Sequence, residues 1–296
     1  LYELAISLHP KHAKAYNNLG NLLKRLGQVD QAITCYRQAI AIQPDYAEAH
    51  THLGMALLSL KDYTEGLKEF EWRSRHKDAI HPHAKPACRA WNGEALGSDE
   101  CLLLISEQGL GDSLQFMRYA STLQQQGIQA RLCVQEKLHG LVKASGLDEA
   151  PLSPEQASTI TNGRWISLMS LPNQLNITPH QPLNNSPYLQ TTSELQQHWQ
   201  QQLRKESGPV IGINWQGSPS HEITTSKGRS LPLEAFAPIT THNNAKLLSL
   251  QKGFGSEQLD TCSFKAHFVS CQDQVNDTWD FLETASIINN CDLIIT

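Results

Sequence analysis

A glycine-rich segment with an aspartate near its end is the first place in this sequence where chemistry is expected. The segment Ser106–Ser113 contains Gln108, Gly109, Gly111 and Asp112. Glycines allow positive φ angles and a close approach of the backbone to a substrate. The carboxylate of Asp112 could act as a general base toward a hydroxyl group. It could equally cap the free amides of a helix that begins there, and the spacing alone leaves both roles open.

A second polar loop spans residues 216–230 and collects groups that suit a diphosphate. It contains the hydroxyl of Ser218, the imidazole of His221 and the guanidinium of Arg229, and it precedes a helix predicted near Leu231. Guanidinium groups, hydroxyls and helix starts bind phosphate oxygens. A flexible polar surface loop has the same composition, so the composition does not decide between these two interpretations.

Gln251 and Lys252 follow an apolar run and are predicted to emerge at the end of a strand. The ammonium of Lys252 could neutralise a leaving diphosphate. It could also be solvated without a ligand, and nothing in the local sequence separates the two.

Alternating strand-like and helix-like stretches position these three loops. This alternation predicts parallel sheets with crossover helices, and ligands of such sheets bind beyond the carboxyl ends of the strands. We predict two Rossmann-like halves, the second incomplete. The predicted strands are 101–106, 129–135, 165–169, 209–215, 246–250, 267–270 and 292–295, and the predicted helices are 113–126, 137–145 and 193–206.

The first 70 residues repeat with a period of 34, which is typical of stacked helix-turn-helix units. Small, large and helix-ending residues all recur in phase. Gly20 and Gly54 are expected to let two helices approach closely, and Pro10 and Pro44 to end the second helix of each unit. The recurring pairs are Pro10 and Pro44, Ala13 and Ala47, Ala15 and Ala49, Leu19 and Leu53, Gly20 and Gly54, Leu23 and Leu57, Leu26 and Leu60, Ile33 and Leu67, and Tyr36 and Phe70.

This pattern resembles the tetratricopeptide repeat family, with about two repeats present and the first one partial. Polar residues on the concave face that the family forms would bind a peptide. Alternatively, the repeats are the last ones of a solenoid and only cover the next domain, because about three units are needed for stability. The polar residues concerned are Asn17, Asn18, Asn21, Lys24 and His52.

The composition limits the possible partners of the protein and its cellular compartment. The 296 residues are enough for several domains, and a net charge of −5 without a basic run excludes a nucleic-acid partner. The seven cysteines lie far apart, several of them in apolar runs, and we expect reduced core thiols. No apolar run is long enough for a transmembrane segment, so a soluble protein is expected, and the reduced thiols indicate a cytoplasmic location. Histidines between 76 and 83 complete no recognisable ligand set, so no metal is expected.

An ordered set of short motifs resembles bacterial proteins that join tetratricopeptide repeats to a glycosyltransferase of the GT-B fold. These proteins are relatives of the lipopolysaccharide heptosyltransferases and are more distantly similar to protein O-GlcNAc transferases. The resemblance extends over nearly the whole chain. The motifs are Trp91–Gly93, Glu107–Tyr119, Ser170–Pro172, Pro187–Leu189, Gly212–His221, Arg229–Leu233, Ser249–Lys252 and Asp280–Ala285.

The resemblance implies an inverting transfer of a sugar from a UDP- or ADP-sugar to a hydroxyl of a protein or glycan, with no cofactor. Asp112 matches the catalytic base, next to Gln108, Gly109 and Gly111 in the acceptor-side loop. The implied donor-binding residues are Ser218, His221, Arg229, Gln251 and Lys252. The alternative function is a non-catalytic scaffold that binds proteins through its repeats.

The predicted domain limits follow from these patterns. The repeats take residues 1–75, a linker 76–98, an acceptor-side Rossmann-like domain 99–192 and a nucleotide-sugar-binding domain 193–296. Both ends of the sequence resemble cuts, and the next donor-contacting motif of the family would follow Thr296. We therefore expect this piece alone to be inactive.

Overall fold

A computed structural model describes residues 1–75, 81–178, 187–219, 230–241 and 244–296 of the chain. The chain divides into two compact units. The first contains Leu1–Glu136 and Leu147–Tyr188, and the second contains Lys137–Gly146 and Leu189–Thr296. Within the described ranges, every helix is too short or too polar to cross a membrane.

The repeats form five helices and a final 3₁₀ helix, as the period of 34 residues predicts. Helices α2 and α3 pack against each other, as do α4 and α5. Pro10 and Pro44 lie two residues after the ends of α1 and α3, which agrees with their predicted role as helix stops. The elements are α1 (Tyr2–Leu8), α2 (Ala13–Arg25), α3 (Val29–Ile42), α4 (Ala47–Ser59), α5 (Tyr63–Phe70) and the 3₁₀ helix Glu71–Ser74.

Two glycines set the distance between the paired helices. A Cβ atom added to Gly20 would lie 2.5 Å from the ring of Tyr36, and one added to Gly54 would lie 2.6 Å from the backbone nitrogen of Phe70. Both separations are far shorter than a normal contact. The predicted role of these glycines in close helix packing is therefore confirmed.

The first unit also contains a four-stranded parallel sheet in the order β1-β4-β2-β3. The inner strand β2 has a buried apolar run, and Leu102 to Ile105 are fully buried. The strands are β1 (Arg89–Ala90), β2 (Cys101–Ile105), β3 (Ala130–Cys133) and β4 (Gly163–Ser167).

Short helices connect these strands, and one prediction is corrected here. The single helix predicted over 113–126 begins earlier and is divided in two, with the boundary at Met117. Helix α6 begins before the predicted residue 113 because Gly109 is its N-cap and its first turn includes Asp112. The helices between β2 and β4 are α6 (Leu110–Phe116), α7 (Arg118–Gln125), α8 (His139–Ala144) and α9 (Pro154–Ser158), and α10 (Leu171–Gln174) follows β4. Of these, α8 belongs to the second unit.

The second unit has a three-stranded parallel sheet in the order β6-β5-β7. The prediction of a strand over 267–270 is wrong. The 3₁₀ helix Lys265–His267 occupies the first residue of this range, and only a single bridge joins Phe268 to Leu247 of β6. The elements are α11 (Ser193–Leu203), β5 (Val210–Ile213), the 3₁₀ helix Leu233–Thr241, β6 (Lys246–Ser249), the 3₁₀ helix Ser256–Asp260, α12 (Gln272–Asp277), α13 (Phe281–Asn289) and β7 (Leu293–Ile295).

All seven cysteines are free thiols, as the sequence predicts. Four of them are buried, namely Cys88, Cys133, Cys262 and Cys271. Burial raises the pKa of Cys133 to about 11 and that of Cys291 to about 11. These thiols are therefore protonated packing groups at neutral pH.

Candidate functional site

Helices α2 and α4 lie side by side, and polar residues of α2 form hydrogen bonds with residues of α3 and α4. His52 Nδ1 lies 2.9 Å from Asn17 Oδ1, and the hydroxyl of Tyr36 donates to Asn21 Oδ1 at 2.8 Å. Burial raises the pKa of the Tyr36 hydroxyl, so it remains a donor at neutral pH. We call the surface made by Asn17, Asn18, Asn21, Lys24 and His52 the α2/α4 face.

Two members of the α2/α4 face keep unused hydrogen-bonding capacity. The amide of Asn18 and the ammonium of Lys24 make no hydrogen bond to another described residue, and both side chains are half-buried. Partial burial lowers the pKa of the Lys24 ammonium. Asn18 and His52 occupy the same position of successive repeats, so the face offers polar groups at a regular spacing.

The glycine-rich loop after β2 starts with a residue in the left-handed region. Gln108 has a φ of 69°, and its carbonyl accepts a hydrogen bond from Gln135 Nε2 at 3.2 Å. Gln135 Oε1 in turn accepts from the hydroxyl of Ser113 at 2.8 Å. Gln135 thus clamps both ends of the loop, although nothing in the sequence singles it out.

Asp112 caps its own helix in this structure. Its Oδ2 accepts a hydrogen bond of 3.1 Å from the backbone nitrogen of Gly109, and the side chain is half-buried. This is the second of the two roles that the spacing left open. A carboxylate at the first turn also benefits from the helix dipole.

The space around the two loop glycines is open. A Cβ atom on Gly111 would meet nothing within 4 Å, and one on Gly109 would meet only Asp112 Oδ2 at 3.4 Å. Packing within the protein therefore does not require glycine at position 111.

The polar loop after β5 is described only at its ends. Gly217 donates its backbone N–H to the hydroxyl of Ser230 at 3.1 Å, so the two ends lie together beyond β5. Ser218 is half-buried at the start of the loop. His221 and Arg229 lie outside the described residues.

Gln251 holds the loops that follow β5 and β6 together. Its Oε1 accepts from the backbone nitrogens of Trp215 and Gln216 at 3.2 and 3.0 Å. Its Nε2 donates to the carbonyls of Gln216 and Phe254 at 3.0 and 2.6 Å. Because these four hydrogen bonds use the whole amide, buried Gln251 shapes this edge of the sheet rather than offering a free group.

Lys252 is engaged at the end of a helix. Its Nζ donates to the carbonyl oxygens of Val275, Asn276 and Thr278, at 2.5, 2.8 and 3.1 Å, and to the hydroxyl of Thr278 at 3.0 Å. Partial burial lowers the pKa of this ammonium. A cation at the carboxyl end of α12 also compensates the helix dipole.

Histidines near the start of the first sheet do not gather into a ligand set. His83 Nδ1 lies 2.8 Å from the hydroxyl of Ser106. Among the residues that the structure describes, no three or more His, Cys, Asp or Glu side chains are placed to hold a metal ion.

Two family models match this chain, and both matches lie within the helical repeats. A family model described as Tetratricopeptide repeat matches residues 1–34, and one described as TPR repeat matches residues 20–61. Residues 1–61 are tetratricopeptide repeats. Neither match extends into the two parallel sheets.

Similar solved structures include the crystal structure of MamA, which is 31% identical with a TM-score of 0.23 over 24% of this chain and 42% of that chain. Another is the crystal structure of YrrB, described as a TPR protein with an unusual peptide-binding site. It is 25% identical with a TM-score of 0.24 over 24% of this chain and 37% of that chain. The chain thus spans less than half the length of these proteins. The comparison with curated proteins gave no match.

The 3₁₀ helix that follows α5 forms a buried ion pair with the glycine-rich loop. Arg73, in the 3₁₀ helix after α5, donates from Nε and Nη2 to Glu107 Oε1 at 3.0 and 2.6 Å. Nη2 also donates to the hydroxyl of Ser170 at 2.7 Å, and Nη1 to Glu71 Oε1 at 3.0 Å. The exposed fractions of the Arg73 and Glu107 side chains are only 7% and 2%. The repeats are therefore joined to the sheet by a desolvated contact that the sequence analysis did not predict.

Proposed function

We propose that this chain acts through its tetratricopeptide repeats as a protein-binding module. The observation that supports the proposal is the α2/α4 face. There Asn18 and Lys24 can still form hydrogen bonds, whereas the neighbouring side chains of Asn17, Asn21 and His52 already have hydrogen-bond partners within the protein. An asparagine amide both donates to and accepts from a peptide backbone, and a lysine ammonium attracts a carboxylate. The occupant we propose is an extended segment of a partner protein with an acidic side chain opposite Lys24. The cytoplasm, where thiols stay reduced, is the compartment we propose.

Peptide selection tests this proposal. Peptides selected on the whole chain from a random displayed library are expected to bind the Asn18→Ala, Lys24→Ala double variant at least about tenfold more weakly, as measured by fluorescence polarisation. The matched control is Lys68→Ala, which removes an exposed lysine of helix α5, a helix that contributes no residue to the α2/α4 face. Equal affinity for the double variant, or a selection that yields no binder, would contradict the proposal.

We propose a second function for the two sheets: transfer of a sugar from a nucleotide diphosphate donor to a hydroxyl, by a GT-B enzyme that needs no metal. The support is that the candidate loops follow the carboxyl ends of parallel strands, which is where ligands of such sheets bind. In this proposal Asp112 deprotonates the acceptor, which requires its carboxylate to exchange its hydrogen bond with Gly109 for one with the hydroxyl. Gln251 fixes the loops that follow β5 and β6, and Ser218, His221, Arg229 and Lys252 contact the donor.

Calorimetric titration of UDP, ADP and GDP tests the second function. Nucleotide binding is the readout because it tests the proposed donor-binding residues without requiring a known acceptor. One nucleotide is expected to bind saturably, Lys252→Met to weaken it at least about tenfold, and Lys252→Arg to preserve most of the affinity.

The control variant for this titration is Lys265→Met, which removes an exposed lysine of the same unit. Because Lys252 also holds the end of α12, the urea unfolding midpoint of each variant is measured in parallel. If no nucleotide binds the folded chain, the transferase is rejected and the scaffold remains.

A further inference from the structure

A cavity of about 440 Å³ lies beyond the carboxyl ends of β2 and β4, entirely within the first unit. This volume is in the range of small-molecule sites. The α2/α4 face contributes no residue to it. Its lining combines two tryptophans with a charged cluster, and includes Glu71, Arg73, Trp91, Glu107, Trp165 and Ser167.

The guanidinium of Arg73 has no capacity left for a ligand. It has five N–H groups, and it makes five hydrogen bonds: two to Glu107 and one each to Glu71, Ser170 and the carbonyl of Phe70. A ligand in the cavity must therefore be recognised by other groups.

Glu107, in contrast to Arg73, can still accept a hydrogen bond from a ligand. All the hydrogen bonds that it accepts, two from Arg73 and one from the hydroxyl of Ser167, go to Oε1. Its Oε2 accepts none from the described residues, although the side chain is only 2% exposed and lines the cavity. A carboxylate oxygen has lone pairs that can accept further hydrogen bonds, so at the wall of the cavity this oxygen favours a ligand that brings an N–H or O–H group.

The charges around the cavity favour a cation over a neutral donor. Among the described residues, the cluster around the Arg73 guanidinium contains two carboxylates, the buried Glu107 and Glu71, whose side chain is 34% exposed, so one negative charge is in excess. Lys85 and His81 also border the cavity, but both are exposed and solvent screens them. The faces of tryptophans attract organic cations. We propose that this cavity binds a primary ammonium group, which donates to Glu107 Oε2 beside Trp91 and Trp165.

NMR titration of the whole chain with matched amines and alcohols tests the proposal. The probes are n-butylamine, its neutral counterpart n-butanol, and Nα-acetyl-lysine amide. We expect saturable binding of at least one amine, and binding of n-butanol at least about tenfold weaker than that of n-butylamine. Tighter binding of the lysine derivative would identify a side chain of a partner protein as the source of the ammonium. Tighter binding of n-butylamine would identify a free amine.

Two variants localise the binding. Glu107→Gln removes the charge and is expected to weaken the amine at least about tenfold. Because that variant also disturbs Arg73, Ala90→Phe provides a second test: Ala90 is an exposed residue that lines the cavity, and a phenyl ring there fills it. Arg89→Phe, on the same strand but outside the lining, is the control and should bind normally. Equal binding of amine and alcohol, no binding of either amine, or undiminished binding by Ala90→Phe would overturn the proposal.

Discussion

Replacing Arg73 with methionine is expected to lower the free energy of unfolding of the first unit by about 3–5 kcal/mol. The substitution leaves Glu107 buried, charged and without the only cation that contacts it in the described structure. It also removes the donor that Ser170 and Glu71 share. The measurement is urea unfolding of the whole chain followed by far-UV circular dichroism, with the midpoint and the slope analysed together.

A double variant separates the loss of the ion pair from the loss of packing. Adding Glu107→Gln to Arg73→Met removes the uncompensated charge while keeping the shape of the side chain, so the double variant should be more stable than Arg73→Met alone by at least about 1 kcal/mol. The matched control is Arg75→Met. Arg75 is exposed and, among the described residues, its side chain only stacks on Trp72, with 4.5 Å from its guanidinium carbon to the ring centroid, so a change of about 1 kcal/mol or less is expected. Equal effects of the two arginine variants would refute the assigned role of Arg73.

The position of Arg73 explains why the sequence did not predict this contact. The repeat pattern ends at about this residue, so Arg73 resembles the first residue of a polar linker. Its partner Glu107 is 34 residues away and belongs to a loop after a different kind of element. Helical periodicity reports contacts between neighbouring turns and neighbouring repeats, and it carries no information on which loop covers the end of a repeat.

The repeats and strand β2 were predictable because their signals are local. Gly20 and Tyr36 are constrained within one repeat unit, and a fully buried strand needs an uninterrupted apolar run such as Leu102 to Ile105. Strand β1 has neither signal. It contains only Arg89 and Ala90, both exposed, and it falls inside the predicted linker. Its pairing with β4 depends on residues more than 70 positions later.

The sequence predicted the positions of the candidate site residues relative to the strands, but not their hydrogen-bond partners. The sequence placed Asp112, Gln251 and Lys252 beyond strands, and the structure agrees on that placement. It did not indicate that Lys252 binds carbonyl oxygens at the end of α12, or that Gln251 uses all of its amide within the protein. Those partners come from loops and helix ends, whose geometry depends on the tertiary fold.

Substituting alanine for Gly54 is expected to destabilise the repeats by about 3 kcal/mol. A Cβ atom at this position would lie 2.6 Å from the backbone nitrogen of Phe70 and 2.9 Å from the carbonyl oxygen of Gly66. Backbone atoms of α5 cannot rotate away as a side chain can, so α4 and α5 must separate, and the close packing of Gly66 against Leu58 is then lost. This cost exceeds the roughly 1 kcal/mol that alanine gains over glycine inside a helix.

Gly111→Ala is the matched control, because Gly111 lies in helix α6 of the same unit and its Cβ atom would meet nothing within 4 Å. Only the helix propensity changes there, so a gain of up to about 1 kcal/mol is expected in the same urea titration. Opposite signs for the two glycine variants would show that backbone contact, rather than loss of glycine itself, determines the result. A Gly54→Ala chain as stable as the unsubstituted one would mean that the two helices can separate at little cost, and that the recurrence of glycine at this position has a cause other than packing.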